Sequence, residues 1–298
     1  MQLKNLILGT AQLGLSYGIA NRNGKPDQQM ADTIIHTAWN HGITVFDTAQ
    51  GYGNSEQVLG QALLDCRASE QAQVITKLSP LLPTSSAEIE TSLKSSRQNL
   101  HVSRFFCVML HREENLPLLD DYVGDTLSEQ RQLNFLEHIG ISVYSPEKAL
   151  EALHHPLVDV VQIPGSLFDR RFDDAGVFAL AHEKGKSLHV RSVLLQGVLL
   201  ISPRQLPPCL QELESALTAF QQLCATERMN PVHAALLWMH QKYPDTSLLF
   251  GAETAQQVRE NLDRSVWQKG LSRIFFEQLD GIIPPQKQKL LNPVFWKR

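Results

Sequence analysis

Eight short apolar runs, separated by longer amphipathic segments, are the feature that most constrains how this chain can fold. Several runs are continuously apolar, which is typical of strands buried on both faces. No low-complexity linker interrupts the alternation. The pattern favours an α/β fold, a single (β/α)8 TIM barrel, over a doubly wound sheet. The runs cover residues 6–8, 43–46, 74–76, 105–110, 139–143, 158–163, 187–190 and 247–250.

The segments between the runs carry signals for helix ends. Asp27 precedes the first long amphipathic segment, and residues 85–88 (Ser-Ser-Ala-Glu) have the pattern of a capping box. Ser145 precedes a proline at the first helical position, and another helix is predicted over about 174–185. The chain has 298 residues, and a barrel of this class needs about 250. We therefore expect one barrel domain over residues 1–298.

Composition limits the classes of partner. The net charge of −4 gives no basic excess for nucleic acid, and no apolar run is long enough to suggest a membrane span. The histidines and cysteines lack the paired spacing of a metal site, so no metal is predicted. Scattered thiols without a CxxC pair are typical of reduced core residues, which predicts a cytoplasmic protein. These thiols belong to Cys66, Cys107, Cys209 and Cys224.

Three ionisable residues follow consecutive apolar runs at the same phase of the repeat. Asp47 ends the second run, Lys77 the third and His111 the fourth, at separations of 30 and 34 positions. Each separation is close to the length of one strand–helix–strand unit. Tyr52 lies five positions after Asp47, in the loop that follows the same run. Because catalytic residues of such barrels lie at the carboxyl ends of strands, these four side chains are predicted to share one pocket.

The four residues suit proton donation to a carbonyl oxygen. A free phenol has a pKa of about 10, so Tyr52 needs a neighbouring cation to become an effective acid. Lys77 could supply that cation, Asp47 could hold Lys77 in place, and His111 could orient the carbonyl oxygen. Taken singly, each residue is equally consistent with an ordinary loop or strand-end side chain. Their combination predicts an enzyme that acts on a carbonyl compound.

Several segments resemble the aldo-keto reductase family. The longest is residues 42–60, GITVFDTAQGYGNSEQVLG, and shorter matches lie around Lys77 and His111, at 140–142, 161–163 and 196–200. The resemblance implies an NAD(P)H-dependent oxidoreductase that reduces a small-molecule aldehyde or ketone, or oxidises the alcohol. In that family pattern Tyr52 is the acid, Lys77 and Asp47 tune it, and His111 orients the substrate.

The same resemblance implies residues that bind the nicotinamide end of a cofactor. Ser142 and Gln162 match a serine and a glutamine that hold the nicotinamide amide, while Val143 replaces an asparagine. Arg191, followed by Ser192, stands where a tyrosine usually stacks on the ring, and an arginine plane can also stack. The family pattern also places Thr10 near the cofactor.

Near the C-terminus, residues 251–261 resemble the segment that binds adenosine. Glu260 and Asn261 match the pair that meets adenine, but Gly251 and Gln257 replace the lysine and arginine that grip a 2′-phosphate. The family norm implies NADP(H), and these replacements leave NAD(H) as the alternative.

Two other functions are consistent with the sequence. One is a Schiff-base aldolase in which Lys77 is the nucleophile. The other is a regulatory barrel that binds a nicotinamide cofactor with little turnover. The presence of all four residues argues against it, and the altered Val143 and Arg191 keep it open. The glycine-rich run at 9–18 lacks the G-x-G-x-x-G spacing of a Rossmann site. No particular substrate and no oligomeric state is predicted.

Overall fold

Eight parallel strands close into one barrel in the order in which they occur along the chain. The computed structural model describes residues 5–19, 21, 24–81 and 84–296. Each strand pairs with the next, and the eighth pairs with the first, which confirms the predicted (β/α)8 fold. The strands are β1 (Leu6–Gly9), β2 (Val45–Asp47), β3 (Gln73–Lys77), β4 (Phe105–Leu110), β5 (Leu136–Ser142), β6 (Val160–Pro164), β7 (Ser187–Arg191) and β8 (Ser247–Phe250).

All eight predicted strands are present, with shifts at their ends. The largest shift is in β5, which begins three residues before the predicted Ile139. Glu137 and His138 hide this start in the sequence because they interrupt the apolar run. Both side chains are partly exposed, and Glu137 forms an ion pair with Arg104 at 3.5 Å.

Fourteen α-helices are found in the described part of the chain, together with short 3₁₀ segments such as Glu113–Asp120 and Leu195–Leu200. The helices are α1 (Ala11–Gly14), α2 (Gln28–Asn40), α3 (Ser55–Asp65), α4 (Ser86–Leu100), α5 (Tyr122–Gln132), α6 (Pro146–His154), α7 (Arg171–Asp174), α8 (Val177–Lys184), α9 (Glu214–Thr226), α10 (Pro231–Lys242), α11 (Ala255–Asn261), α12 (Arg264–Lys269), α13 (Arg273–Asp280) and α14 (Gln288–Leu291). The helix predicted over 174–185 is shorter, because Gly176 adopts a φ of +78° and separates α7 from α8.

The helix caps agree in part with the sequence signals. Asp27 accepts a hydrogen bond from the backbone N–H of Met30 at 2.8 Å, as an N-cap should. Ser85 accepts from the N–H of Glu88, but the Glu88 carboxylate accepts from Thr84 instead of returning to Ser85. The predicted capping box at residues 85–88 is therefore only half formed.

Apolar side chains fill the barrel from inside and cover it from outside. The outer core lies between the strands and the helices, and a smaller core fills the lumen. His189 of β7 is buried in the barrel, where burial and then the Lys77 ammonium lower its pKa to about 3. At the level of His189, the lumen is therefore packed and carries no charge. The lumen core consists of Ile7, Val45, Ile75, Cys107, Met109, Val160 and Leu249.

Three further observations bear on the remaining predictions. No helix in the described residues is long and apolar enough to cross a membrane. In the same residues, no group of three or more His, Cys, Asp or Glu side chains is arranged to hold a metal ion. All four thiols are free. The cytoplasmic location and the single domain over residues 1–298 stay predictions.

One glycine brings α3 and α4 into close contact. A Cβ atom added to Gly60 of α3 would lie 2.0 Å from the carbonyl oxygen of Asn99 and 2.7 Å from the Cα of Leu100. Only a residue without a side chain permits this approach. The contact matters for the site because α3 follows directly on the loop that carries Tyr52.

We expect Gly60→Ala to lower the free energy of unfolding by about 1–3 kcal/mol, because backbone atoms of α4 would have to move. Alanine has the better helix propensity by about 1 kcal/mol, so an unchanged or raised stability would contradict the close contact. Gly281→Ala is the matched control, since its added Cβ meets atoms at an ordinary 3.4 Å and its φ is −71°. Urea titration followed by circular dichroism measures both variants.

Candidate active site

The carboxyl ends of β2, β3 and β4 bring four predicted site residues together. Asp47 and Lys77 are the last residues of β2 and β3, and His111 follows the last residue of β4. Tyr52 lies in the loop between β2 and α3. Because the barrel is closed, these strand ends lie on one rim. Residues at the same phase of the sequence repeat are therefore close together in space. Their catalytic roles stay predictions.

Lys77 is the centre of this group. Its side chain is fully buried, and Nζ donates to Asp47 Oδ1 at 2.5 Å, to the Thr48 carbonyl oxygen at 3.2 Å and to Tyr52 Oη at 3.4 Å. The three N–H groups of an ammonium therefore have one acceptor each. Burial alone would lower the pKa of Lys77, but Asp47 and Tyr52 raise it above its ordinary value. Lys77 is held as a cation.

Asp47 joins opposite sides of the barrel. Its Oδ1 accepts from Lys77, while its Oδ2 accepts from Nε2 of Gln162 at 2.8 Å. Gln162 lies on β6, across the lumen from β2. With both oxygens bonded, the carboxylate is fixed in orientation next to Lys77.

Tyr52 and His111 meet edge to face beside this ion pair. Their ring centroids are 5.5 Å apart and the ring planes are inclined by 88°. Burial raises the pKa of the Tyr52 phenol, and the Lys77 ammonium opposes that rise. Burial, followed by the Lys77 charge, lowers the pKa of His111 to about 4. The pair thus consists of a protonated phenol and a neutral imidazole at neutral pH.

A close backbone approach holds the Tyr52 loop, and the sequence reasoning missed it. A Cβ added to Gly14 would lie 1.7 Å from the carbonyl oxygen of Tyr52. Gly53 has a φ of +60°, and its added Cβ would lie 2.6 Å from the carbonyl oxygen of Gly14. The glycine-rich run after β1 therefore packs against the loop that carries Tyr52. The glycines on both segments were the available signal.

Thr10 belongs to a buried hydroxyl cluster under the same loop. Its Oγ1 donates to the carbonyl oxygen of Asp47 at 2.9 Å, and Ser55 Oγ donates to the carbonyl oxygen of Thr10 at 2.8 Å. Thr48 Oγ1 donates to Ser55 Oγ at 3.0 Å. Thr10 thus supports the backbone of Asp47, and its predicted contact with a cofactor stays a prediction.

A cavity of about 320 Å³ opens beside Tyr52. Seven predicted site residues line it: Asp47, Tyr52, Arg191, Ser192, Gly251, Glu260 and Asn261. Five others do not line it: Thr10, Lys77, His111, Ser142 and Gln162. The cavity also has lining residues outside this set, among them Gln12 and Tyr17. Both lie in or just after α1, within the glycine-rich run at 9–18.

Gln162 has an unused acceptor that suits the carboxamide of a nicotinamide. Its Nε2 is bonded to Asp47, but its Oε1 is buried and has no hydrogen-bond partner among the described residues. Ser142 pairs in register with Gln162 on the neighbouring strand. A buried acceptor without a partner costs free energy, so a ligand donor at this point would stabilise the site. These two residues fit the predicted cofactor group.

Arg191 lies against an aromatic ring at the end of β7. Its guanidinium carbon is 4.1 Å from the centroid of the Tyr144 ring, and Nη2 donates to the carbonyl oxygen of Val143 at 3.3 Å. Ser192 and Gln196, which follow, have φ values of +60° and +52°. A non-glycine residue with a positive φ raises the free energy of the folded state by about 1 kcal/mol. Such strain is typical of ligand-binding loops.

The part of the cavity at the end of β8 has no cation to grip a 2′-phosphate. Among the described residues that line the cavity, Arg191 is the sole lysine or arginine. An added Cβ at Gly251 would lie 2.2 Å from Nε2 of Gln12, so Gln12 fills the space beside Gly251. Glu253 and Glu260, the two acidic residues near this end, also line the cavity. Arg259 is exposed and donates to Gln256 at 3.3 Å.

Two known proteins are similar to this chain over most of its length. The chain is 27% identical over 296 residues to the NADH-specific methylglyoxal reductase of Escherichia coli K12, covering 87% of this chain and 89% of the relative. It is 25% identical over 310 residues to the pyridoxine 4-dehydrogenase of the same organism, covering 95% and 99%. These relatives are oxidoreductases by name.

Solved structures share the fold. An aldo-keto reductase from Bacillus halodurans in its holo form superposes with a TM-score of 0.75 at 23% identity, covering 95% of this chain and 93% of that one. The model of the aldo/keto reductase family matches residues 5–283. Tyr52, Lys77, Asp47 and His111 lie within that match. The chain belongs to the aldo-keto reductase family and is an NAD(P)H-dependent oxidoreductase.

Proposed function

We propose that this enzyme reduces the carbonyl group of a small aldehyde or ketone, with Tyr52 as the proton donor. The observation that carries the proposal is the position of Lys77 Nζ, which binds Asp47 Oδ1 at 2.5 Å and Tyr52 Oη at 3.4 Å beside an open cavity. A phenol so placed has a fixed cation next to the oxygen that must bear negative charge after proton transfer.

Each residue has a separate task in this proposal. Tyr52 passes its proton from Oη to the carbonyl oxygen of the substrate, and Lys77 stabilises the phenolate that remains. Asp47 keeps Lys77 charged and oriented. His111, neutral because of its burial, donates a hydrogen bond that orients the carbonyl oxygen without adding charge. A nicotinamide cofactor, held by Gln162 and Ser142, supplies the hydride when bound.

The state of Lys77 argues against a Schiff-base aldolase. Attack on a carbonyl requires a neutral amine with a free lone pair. Lys77 instead donates to three acceptors, and its pKa is raised. A regulatory barrel with little turnover has less support than an enzyme, because all four residues of the proposed proton-donating group are present and Tyr52, the proposed donor, lines the cavity.

The charges in the cavity favour NAD(H) over the NADP(H) that the family norm implies. A 2′-phosphate needs Lys or Arg partners for charge-assisted hydrogen bonds. The wall at the end of β8 offers Gln12, Gln257 and the carboxylates of Glu253 and Glu260. An acidic wall suits the ribose hydroxyls of NAD(H), as carboxylates do in other dinucleotide sites. The name of one relative, NADH-specific methylglyoxal reductase, is consistent with this preference.

Tyr52→Phe removes the proposed proton donor and leaves the ring. We expect kcat for carbonyl reduction to fall by about 10²-fold or more, with cofactor affinity changed by less than about threefold. Steady-state kinetics and cofactor fluorescence titration measure the two quantities. Tyr122→Phe, which removes a phenol oxygen from α5, is the matched control. Full turnover in the Tyr52 variant would show that another group donates the proton.

The low pKa of His111 predicts how kcat/KM depends on pH below neutrality. Because burial and Lys77 hold that pKa at about 4, His111 stays neutral as the pH falls from 8 to about 5. We therefore expect log kcat/KM to show no limb from this residue near the ordinary histidine value of about 6.5. A limb near 6.5 that disappears in His111→Gln would contradict the assigned state.

Cofactor titration tests the proposed preference for NAD(H). We expect NADH to bind at least about tenfold more tightly than NADPH, since the 2′-phosphate meets carboxylates and no described lysine or arginine. Glu253→Gln should strengthen NADPH binding more than NADH binding. Glu129→Gln, the same charge change on the exposed face of α5, should affect neither. Tighter binding of NADPH by the unaltered enzyme would refute the preference.

A further inference from the structure

Arg191 is a cation placed where the proposed hydride donor must come. The carbonyl that receives a proton from Tyr52 also receives hydride, so the donor ring has to lie within a few ångströms of Tyr52. Arg191 lines the same cavity as Tyr52 and Asp47, and no other described lining residue is a lysine or arginine. Its strand, β7, is next to β6, which carries Gln162.

The charge of Arg191 is only weakly compensated. Its hydrogen bond goes to the neutral carbonyl of Val143, and one face of the guanidinium lies on the Tyr144 ring. Among the described residues, no carboxylate is within ion-pair distance of it. Asp47, in the same cavity, is already bonded through both oxygens to Lys77 and Gln162. The positive field of the guanidinium therefore extends into the cavity that Arg191 lines.

Building on the proposed function, we propose that Arg191 selects the oxidation state of the cofactor by favouring the reduced nicotinamide and disfavouring the oxidised one. The oxidised ring is a pyridinium cation, and a guanidinium in the same cavity repels it. The reduced ring is neutral and electron-rich, so the same guanidinium attracts its face. Both effects favour binding of the reduced nicotinamide over the oxidised one.

This selection has a consequence for the direction of catalysis. A site that binds the reduced cofactor more tightly is filled by it even when the oxidised form is abundant. After the carbonyl is reduced, the oxidised product is bound in an unfavourable field and dissociates faster. Arg191 thus acts as a specificity-determining residue that biases the enzyme towards carbonyl reduction.

The test compares dissociation constants of the two redox forms, NAD⁺ and NADH, by calorimetric titration at one ionic strength. In Arg191→Gln, the ratio of the NAD⁺ constant to the NADH constant should fall about tenfold, which corresponds to about 1.4 kcal/mol. Arg191→Lys keeps the charge and should retain most of the ratio. Arg259→Gln removes an exposed arginine outside the cavity and should leave the ratio unchanged.

Each other outcome has a definite meaning. If Arg191→Gln weakens both forms by the same factor, Arg191 binds the phosphates and the inference is wrong. If the ratio does not change in any variant, it is also wrong, while the proposed function stands. If the unaltered enzyme binds neither NAD(H) nor NADP(H), the proposed function itself fails.

A second variant covers the case in which Arg191→Gln does not fold. Tyr144→Leu removes the aromatic platform but leaves the arginine charge. We expect the ratio to fall by about threefold, because the guanidinium is then less firmly held near the ring site. An unchanged ratio in a folded Tyr144→Leu protein, checked by its melting curve, would count against the positioning of Arg191.

Discussion

The buried ion pair between Lys77 and Asp47 is the interaction on which the site depends. Moving two such charges out of water costs several kcal/mol for each ion, and their attraction repays this only when every remaining donor and acceptor is bonded. Here Lys77 has three acceptors and Asp47 has two donors. The pair also joins β2 to β3 and, through Gln162, reaches β6. Closure of the barrel therefore orients the pair, and the pair orients Tyr52.

The cavity places its charges unevenly, and this asymmetry links the chemistry to the cofactor. Two cations lie near Tyr52, Lys77 buried behind it and Arg191 in the cavity lining, while Glu253 and Glu260 line the cavity near the end of β8. In the two proposals made above, this distribution disfavours a phosphate near the end of β8 and a pyridinium beside Arg191. One distribution of charge would then act on two properties, the presence of the 2′-phosphate and the redox state of the ring.

The strands and the grouping of Asp47, Tyr52, Lys77 and His111 could be predicted from the sequence. In a parallel barrel, the point of the repeat at which a residue occurs determines the end of the barrel at which it lies. Residues that leave successive strands at the same point must meet on one rim, whatever the intervening helices do. No such rule predicts the contacts between segments that are distant in the sequence. The packing of Gly14 on Tyr52, the hydroxyl bonds of Thr10 and the position of Gln12 beside Gly251 depend on how loops cross, which no local pattern records.

Arg191 shows why a single replaced residue cannot be interpreted alone. An arginine in place of an aromatic residue would be free to turn away from the cavity unless something held it. Tyr144 holds it, and the backbone N–H groups of Tyr144 and Ser145 both donate to the Glu113 carboxylate, at 2.7 and 2.9 Å. A carboxylate there also suits the N-terminus of α6. The loop after β4 thus fixes the loop after β5, which in turn fixes the cation at the end of β7.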